Sequence, residues 1–427
     1  MAQILNPSGV PTLFYGTKSE IRRHTRNPSV DTQVGSGYTG NPNQFREITG
    51  QPNTIVSQWS MVDFGSWILA TNGKDLPQIY KGTSFSAMNV ESQFTTAEIF
   101  VKRGPYILAF NTSINSKGFL WNNADIPDGT GSWTPTASNQ AGDLIFREAS
   151  TEVVAAVRLG EFIIAYTEEE TFRVSLLGAP LFFGYKPAVQ GIGALSKKSI
   201  IPVGRQHYGW GRQGIYVTDG VDSQFIDNPM IRQYLKDNFQ KAQGSKVNGY
   251  HDEENTAVIW SFPSDMSNVN SAICDKGISY NYLTGNWSLI GHGNTASMER
   301  QVFSQAFTGT DAGTVHREND GLTDAGASMT SWIRTKPLDL DDPNHIKEIQ
   351  AVRVGYIGSG LQYRLGRSNS EDDSITWGRY NRVPDGFKFS DARDAGRYLH
   401  LELYSSGVGD DWNVSSIDIH GVILGER

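Results

Sequence analysis

The 427-residue chain contains a single cysteine, Cys274. One thiol cannot close an intramolecular disulfide, and no second ligand stands at metal-binding spacing from it. Assembly in a reducing cytoplasm fits. Nowhere does the sequence approach the ~18 consecutive apolar residues of a membrane-spanning helix. The segment Met1-Ala2-Gln3-Ile4-Leu5-Asn6-Pro7 has neither a basic start nor a long apolar run, so no secretory signal is expected. Basic excess is missing too: 37 Lys and Arg against 45 Asp and Glu leave a net charge of −8. A protein that grips nucleic acid releases counterions by presenting cations to phosphates, and this balance argues against such a grip. Nucleophile elbow, phosphate-binding loop, zincin histidine pair and EF-hand loop are all wanting. No catalytic residue, metal ligand or cofactor is therefore expected, and the chain reads as a non-enzyme.

What is present is glycine and aromatic rings. Forty-five glycines and 11% aromatics point to many short strands, because rings pack pleated faces and glycines make the turns. Three segments share one pattern: Gly65-Ser66-Trp67-Ile68-Leu69-Ala70, Gly104-Pro105-Tyr106-Ile107-Leu108-Ala109 and Gly160-Glu161-Phe162-Ile163-Ile164-Ala165. Each is a turn glycine, a variable residue, an aromatic ring, two aliphatics and an alanine, which reads as a strand buried on both faces. Second strands follow at residues 78–80, 119–121 and 172–174. Weaker copies continue at 207–210 before 214–217, at 257–260 before 278–281, and at 302–306 before 313–316. Six copies at about 40 to 55 residues each match propeller blades, so a six-bladed β-propeller is expected over residues 54–325. The alanine suits an inner strand near a crowded axis. A non-repeating sandwich with similar strands is the competing reading.

Residues 1–53 are rich in Gly, Pro, Asn, Ser and Thr and carry few large apolar side chains. They are expected to form an extended N-terminal arm lying on another domain or subunit. Its one chemical feature is the basic cluster Lys18, Arg22, Arg23, His24 and Arg26, either a solvated face or a docking site for an acidic partner. Asn228 and Pro229 announce a helix whose apolar face holds Ile231, Leu235 and Phe239. Residues 326–427 show period-two strands separated by polar turns, which suggests an antiparallel β-sandwich. The expected fold is thus all-β.

Acidic runs fall where hairpins should turn, notably Glu168, Glu169, Glu170 and Asp252, Glu253, Glu254. Neighbouring acids in one turn are poorly placed for glycoside cleavage, which needs two carboxyls about 5–10 Å apart across a cleft. They either solvate the turns or line a passage for DNA. A sialidase-like enzyme would carry repeated Asp boxes; the nearest match is residues 113–121, with Asn115 in place of Asp and one residue too many. A lectin would need exposed rings, for which Trp121, Trp133, Trp287 and Trp412 are available.

Residues 67–82 (Trp-Ile-Leu-Ala-Thr-Asn-Gly-Lys-Asp-Leu-Pro-Gln-Ile-Tyr-Lys-Gly) resemble an early blade of the nozzle proteins of short-tailed bacteriophages. These are also called packaged-DNA stabilisation or tail tubular proteins. Residues 279–288 resemble a later blade. Residues 332–340, 347–354, 396–398 and 412–427 resemble the terminal domain. The resemblance spans most of residues 54–427 in order and rests on that succession. It implies a hexameric ring closing the distal end of a virion tail, assembled in the host cytoplasm below the head-to-tail adaptor ring. Such a ring carries fibres, spikes or a needle, retains the packaged genome and lets double-stranded DNA pass without specific binding. It implies no catalytic residues. An acidic or neutral wall would avoid drag on a polyanion, which makes the two acidic triplets the candidate channel-lining groups.

Overall fold

The computed structural model describes residues 1–5, 11–16, 20–26, 29–36, 58–91, 93–264, 273–310, 314–324 and 326–425. The chain divides into two compact units, Met1–Glu318 and Asn319–Arg427. Both are built from small antiparallel sheets.

Seven sheets follow one another among the described residues of the first unit, each in simple up-and-down order. The second sheet shows the plan: Ser60–Phe64, Trp67–Thr71, Gln78–Tyr80 and Phe85–Ala87 pair in sequence. The third begins at Ala97–Arg103, the fourth at Ala155–Leu159, the fifth at Ile200–Val203 and the sixth at Asn248–Asp252. The seventh, at Ala296–Met298, has three strands. Four of the hairpins joining first to second strands share one turn. Gly65, Gly104, Gly160 and Gly204 stand at φ of 63°, 60°, 56° and 59°, each the first of two residues between paired strands. Glycine at that place, with an ordinary second residue, is the II′ hairpin turn that matches strand twist.

The repeated aromatic–aliphatic segment is the second strand of its sheet, and it is buried because a neighbouring sheet covers each face. Ile163 and Ala165 face the third sheet, packing with Leu108, Phe110 and Phe119. Ile164 and Tyr166 face the fifth, packing with Ile200 and Tyr216. Alternation therefore delivers one set of side chains to each neighbour, and both sets must be apolar. The repeated alanine always faces the preceding sheet: Ala70 the first, Ala109 the second, Ala165 the third. Its small size leaves room for large rings, such as Phe100 and Phe172, its cross-strand partners at Ala109 and Ala165. The expectation that this alanine lies on an innermost strand is corrected. First strands, not second ones, lie against one another from sheet to sheet.

Residues 1–53 are not an extended arm throughout. Ala2–Leu5, Pro11–Gly16, Glu20–Arg26 and Ser29–Ser36 form a four-stranded sheet. Ala2, Ile4, Phe14 and Ile21 pack against Ile68, Ala70 and Tyr80 of the second sheet. Leu13 packs against Met298, Phe303 and Phe307 of the seventh. The Gln3 amide seals that contact, donating to the Glu299 carbonyl and accepting from the Val302 and Phe303 amides at 2.9 Å. A run of few but regularly placed apolar residues thus sufficed, because the sheet borrows its core from neighbours on both sides. The sixth copy also shifts: the strand is Phe307–Gly309, and residues 302–305 precede it as bends.

Between the fifth and sixth sheets runs helix α1, Pro229–Asn238. The Asn228 side chain caps it by accepting from the Ile231 amide, and Ile231, Leu235 and Phe239 are buried against Trp210 and Phe262. The second unit stacks two sheets about one core. Ser331–Arg334, Tyr398–Ser405 and Gln362–Ser368 lie side by side in one sheet; Ser390–Gly396, Ile346–Gly358 and Trp412–Gly425 make the other. Ile349, Val352 and Val354 of the latter meet Tyr363, Leu365, Leu399, Leu401 and Leu403 of the former.

Candidate functional site

The segments entering the first strands converge within the first unit, and they carry polar side chains. Gln58, ahead of the second sheet, donates to the Lys246 and Val247 carbonyls ahead of the sixth, at 3.4 and 3.3 Å. Lys197, ahead of the fifth, donates to the Gln58 carbonyl at 3.0 Å and pairs with Glu98 of the third. Burial pulls the Lys197 ammonium below its usual range, and Glu98 opposes the shift. Burial likewise raises Glu299 to about 7, while Lys198 opposes, and burial lowers Lys198 itself. These links join sheets that are not neighbours, so side chains span the middle of the unit. Cys274 lies beside this region, its thiol on the Lys246 carbonyl and pushed by burial up to about 12. That thiol is protonated and unreactive at neutral pH.

The acidic triplets occupy unlike positions. Glu168 and Glu169 sit in the turn between second and third strands of the fourth sheet. Arg212, in the matching turn of the fifth, pairs with Glu168 at 2.5 Å. Glu170 is held by the Thr167 hydroxyl at 2.7 Å and accepts from the Ser150 amide. Burial would raise its carboxyl, but these hydrogen bonds hold it below the usual range. Asp252 is buried and accepts from the amide and side chain of Asn255, closing its own turn. Glu253 is exposed and lies 3.6 Å from Arg300; Glu254 is exposed. This second triplet joins first to second strands, so in its own sheet it lies at the opposite end from a turn of the Glu168 type. Asp63–Lys102 and Arg103–Glu161 pairs, at 2.8 and 2.5 Å, link the same first-to-second turns between other sheets.

Of the basic cluster, Lys18 lies outside the described residues, as does the side chain of Arg26. Arg22 and Arg23 are successive on Glu20–Arg26 and point to opposite faces. Arg23 donates to the Tyr80 hydroxyl at 2.7 Å, tying the first sheet to the second. Trp121 and Trp133 are buried and so unavailable for stacking on a sugar; Trp287 packs on Tyr280 and Trp260. Asn115, in the stretch nearest an Asp box, is buried and donates to the Leu144 carbonyl.

The most densely built cluster was not foreseen. On the outward face of the second unit, Glu402 is buried under two guanidinium groups and a phenol. Arg364 Nε stands 2.7 Å away, Arg334 Nε is in contact, and Tyr380 donates at 2.6 Å. Arg364 lies over the rings of Trp377 and Tyr380 at 4.5 Å, and Arg334 over Trp332 at 4.7 Å. Burial pushes the Glu402 carboxyl up, but these three donors hold it below the usual range. Strand alternation already placed Glu402 between His400 and Tyr404 on the polar side, the one signal in the sequence. Its partners come from two other strands and the Tyr380 loop, 22 to 68 residues away.

Among the described residues no group of three or more His, Cys, Asp or Glu could hold a metal ion, and no helix is long and apolar enough to cross a membrane.

No family model matches the sequence, and no curated protein does. Solved structures show only slight likeness. A copper-bound fungal alcohol oxidase is 8% identical with a TM-score of 0.45, covering 97% of this chain and 96% of its own. A putative 6-phosphogluconolactonase from Bacteroides uniformis is 10% identical, with a TM-score of 0.41 over 70% of this chain and 90% of its own. The designed protein Ika8 is 7% identical, with a TM-score of 0.41 over 72% and 79%.

Proposed function

We propose that this chain is a structural virion protein, the nozzle of a short bacteriophage tail. Several copies form a ring that retains the packaged genome and frames its exit, with the adaptor ring above and fibres, spikes or a needle attached. The observation that carries this reading is the order of the stretches resembling nozzle proteins. They fall in succession on the strands of the second sheet, the sixth sheet and the terminal sandwich. We read the first unit as a β-propeller. The six sheets expected from the repeat are joined by the N-terminal sheet, and the ring of contacts returns from the seventh sheet to the first through Gln3.

The spanned middle constrains this reading. A duplex whose major groove alone is about 12 Å wide does not pass between groups bridged by hydrogen bonds near 3 Å. The DNA path is therefore enclosed by several copies, not by one propeller. Chain-specific antibodies bound at the distal tip of intact virions, together with rings in images of the purified chain, are the expected outcome. Absence of the chain from the particle, or specific glycan-array binding by a monomer, would overturn it.

A further inference from the structure

The fourth sheet carries a projection found in no other described sheet of the first unit. Its third and fourth strands, Glu170–Gly178 and Phe182–Gln190, outrun the second strand, which pairs only as far as Ile163 with Val174. Beyond that level the two strands go on alone, pairing Ser175 with Gly184, Leu176 with Phe183 and Gly178 with Phe182. At about 3.3 Å per residue the free part reaches about 10 Å past the turn at Gly160.

Its chemistry is one-sided. No charged residue occurs between Arg173 and Lys186, and those two cations face each other across the hairpin. The tip reads Leu176-Leu177-Gly178-Ala179-Pro180-Leu181-Phe182. Leu176 is 38% exposed, Leu177 58% and Leu181 66%. Leu176 shares the face of its partner Phe183, whereas Leu177, the extra residue of a bulge, lies over Gly184 on the other face. The exposed part of the tip is thus apolar on both faces. The base is anchored: Phe183 packs on Tyr106 and Trp121 at 5.3 and 5.2 Å, and Phe182 reaches Tyr106. Arg173 lies over Phe162 at 4.8 Å. The acids nearest the base are engaged, Glu148 by the Tyr185 hydroxyl and Glu161 by Arg103.

We propose that this hairpin inserts its tip into the surface of an anionic lipid bilayer. A docking strand for a protein presents apolar groups on the one face that meets its partner. An exposed tip, Leu176 to Leu181, that is apolar on both faces fits a medium that surrounds it, and the Arg173–Lys186 collar sits where phosphate headgroups would lie. The reach matches the about 5–10 Å depth of the headgroup–acyl boundary. Both outer strand edges of the free hairpin keep unpaired backbone groups, which confines the tip to that boundary and excludes spanning. The inference stands whether or not the chain is a nozzle.

The test uses the full chain with vesicles of phosphatidylcholine alone or with a minority of phosphatidylglycerol. Wild-type protein should co-sediment with the anionic vesicles. Leu177→Asp with Leu181→Asp should weaken binding by about tenfold or more, and Lys186→Glu by a few-fold, with unchanged melting temperatures. Leu177→Trp should give a blue-shifted emission quenched by brominated lipid. The proposal is overturned if wild-type protein ignores both vesicles at about millimolar lipid, or if the double variant binds equally well. It is equally overturned if the double variant loses only self-association, which would make the finger a contact between copies.

Discussion

Tyr166 and His207 lock the fourth sheet to the fifth. The Tyr166 hydroxyl donates to His207 Nδ1 at 2.8 Å, and His207 Nε2 donates to the Arg158 carbonyl at 3.0 Å. The imidazole is fully buried and held neutral, its pKa lowered by burial to about 4. The ordinary value is about 6.5, so between those limits the unfolded chain binds a proton that the folded chain refuses. The contribution is complete above about pH 6.5 and is lost as pH falls towards 4, at most about 3 kcal/mol. His207→Leu should flatten this part of the stability–pH profile. It should also cost about 2 kcal/mol at pH 7, because Tyr166 and the Arg158 carbonyl lose their partner. Urea unfolding of both proteins at pH 7 and pH 5 measures the difference. Equal pH slopes would show that His207 is not the group responsible.

Glu402 lies beneath two guanidinium groups and is the acid both pair with among the described residues. Glu402→Gln leaves Arg334 and Arg364 facing each other without a counter-charge. The expected loss is about 3 kcal/mol, since breaking a buried pair strands the remaining charge. Arg364→Lys should not rescue this face, because an ammonium cannot replace a planar group stacked between Trp377 and Tyr380. Calorimetry of the full chain should show the second unit melting early in both variants.

Removal of residues 1–36 distinguishes a sheet from an arm. An arm could be deleted from a folded protein with only assembly impaired. Here the deletion uncovers Ile68, Ala70 and Tyr80 on one side and Met298, Phe303 and Phe307 on the other. Cooperative unfolding should be lost and protease sensitivity should rise throughout the first unit. A truncated protein that melts normally would contradict the packing.

Glu169 tests whether the outer turn of the fourth sheet faces DNA. Unlike Glu170, whose carboxylate holds its turn, Glu169 is exposed and its carboxylate lies 4.0 Å from Arg212. Glu169→Lys should leave the fold intact. In a tail channel it would slow genome ejection and make it salt-sensitive, acting within about 8 Å at physiological salt. Unchanged ejection by normally assembled particles would place this turn away from the channel wall.

Local chemistry was legible wherever one short segment carried the whole instruction. Gly65, Gly104 and Gly160 announced their turns because only glycine adopts that φ without strain. Asn228 and Pro229 announced a helix start, and alternation in residues 398–404 announced a strand with one wet face. The N-terminal sheet escaped because its core is shared: Ile4, Phe14 and Ile21 look too few until Ile68 and Tyr80 cover them. The repeated alanine was legible as a constraint but not in its direction. A strand buried on both faces reads the same whether an axis or another sheet covers it, and only the stacking order of the sheets separates the two. The same limit applies to charge. Runs of acid were visible, yet Asp252 turns inward to Asn255 while Glu253 meets Arg300 of the next sheet. The Glu402 cluster, assembled from four strands and the Tyr380 loop, had no compact signature at all. Sequence fixes which groups can bond within a turn or a strand; pairings between sheets depend on which strands become neighbours, and that is settled only when the whole chain has packed.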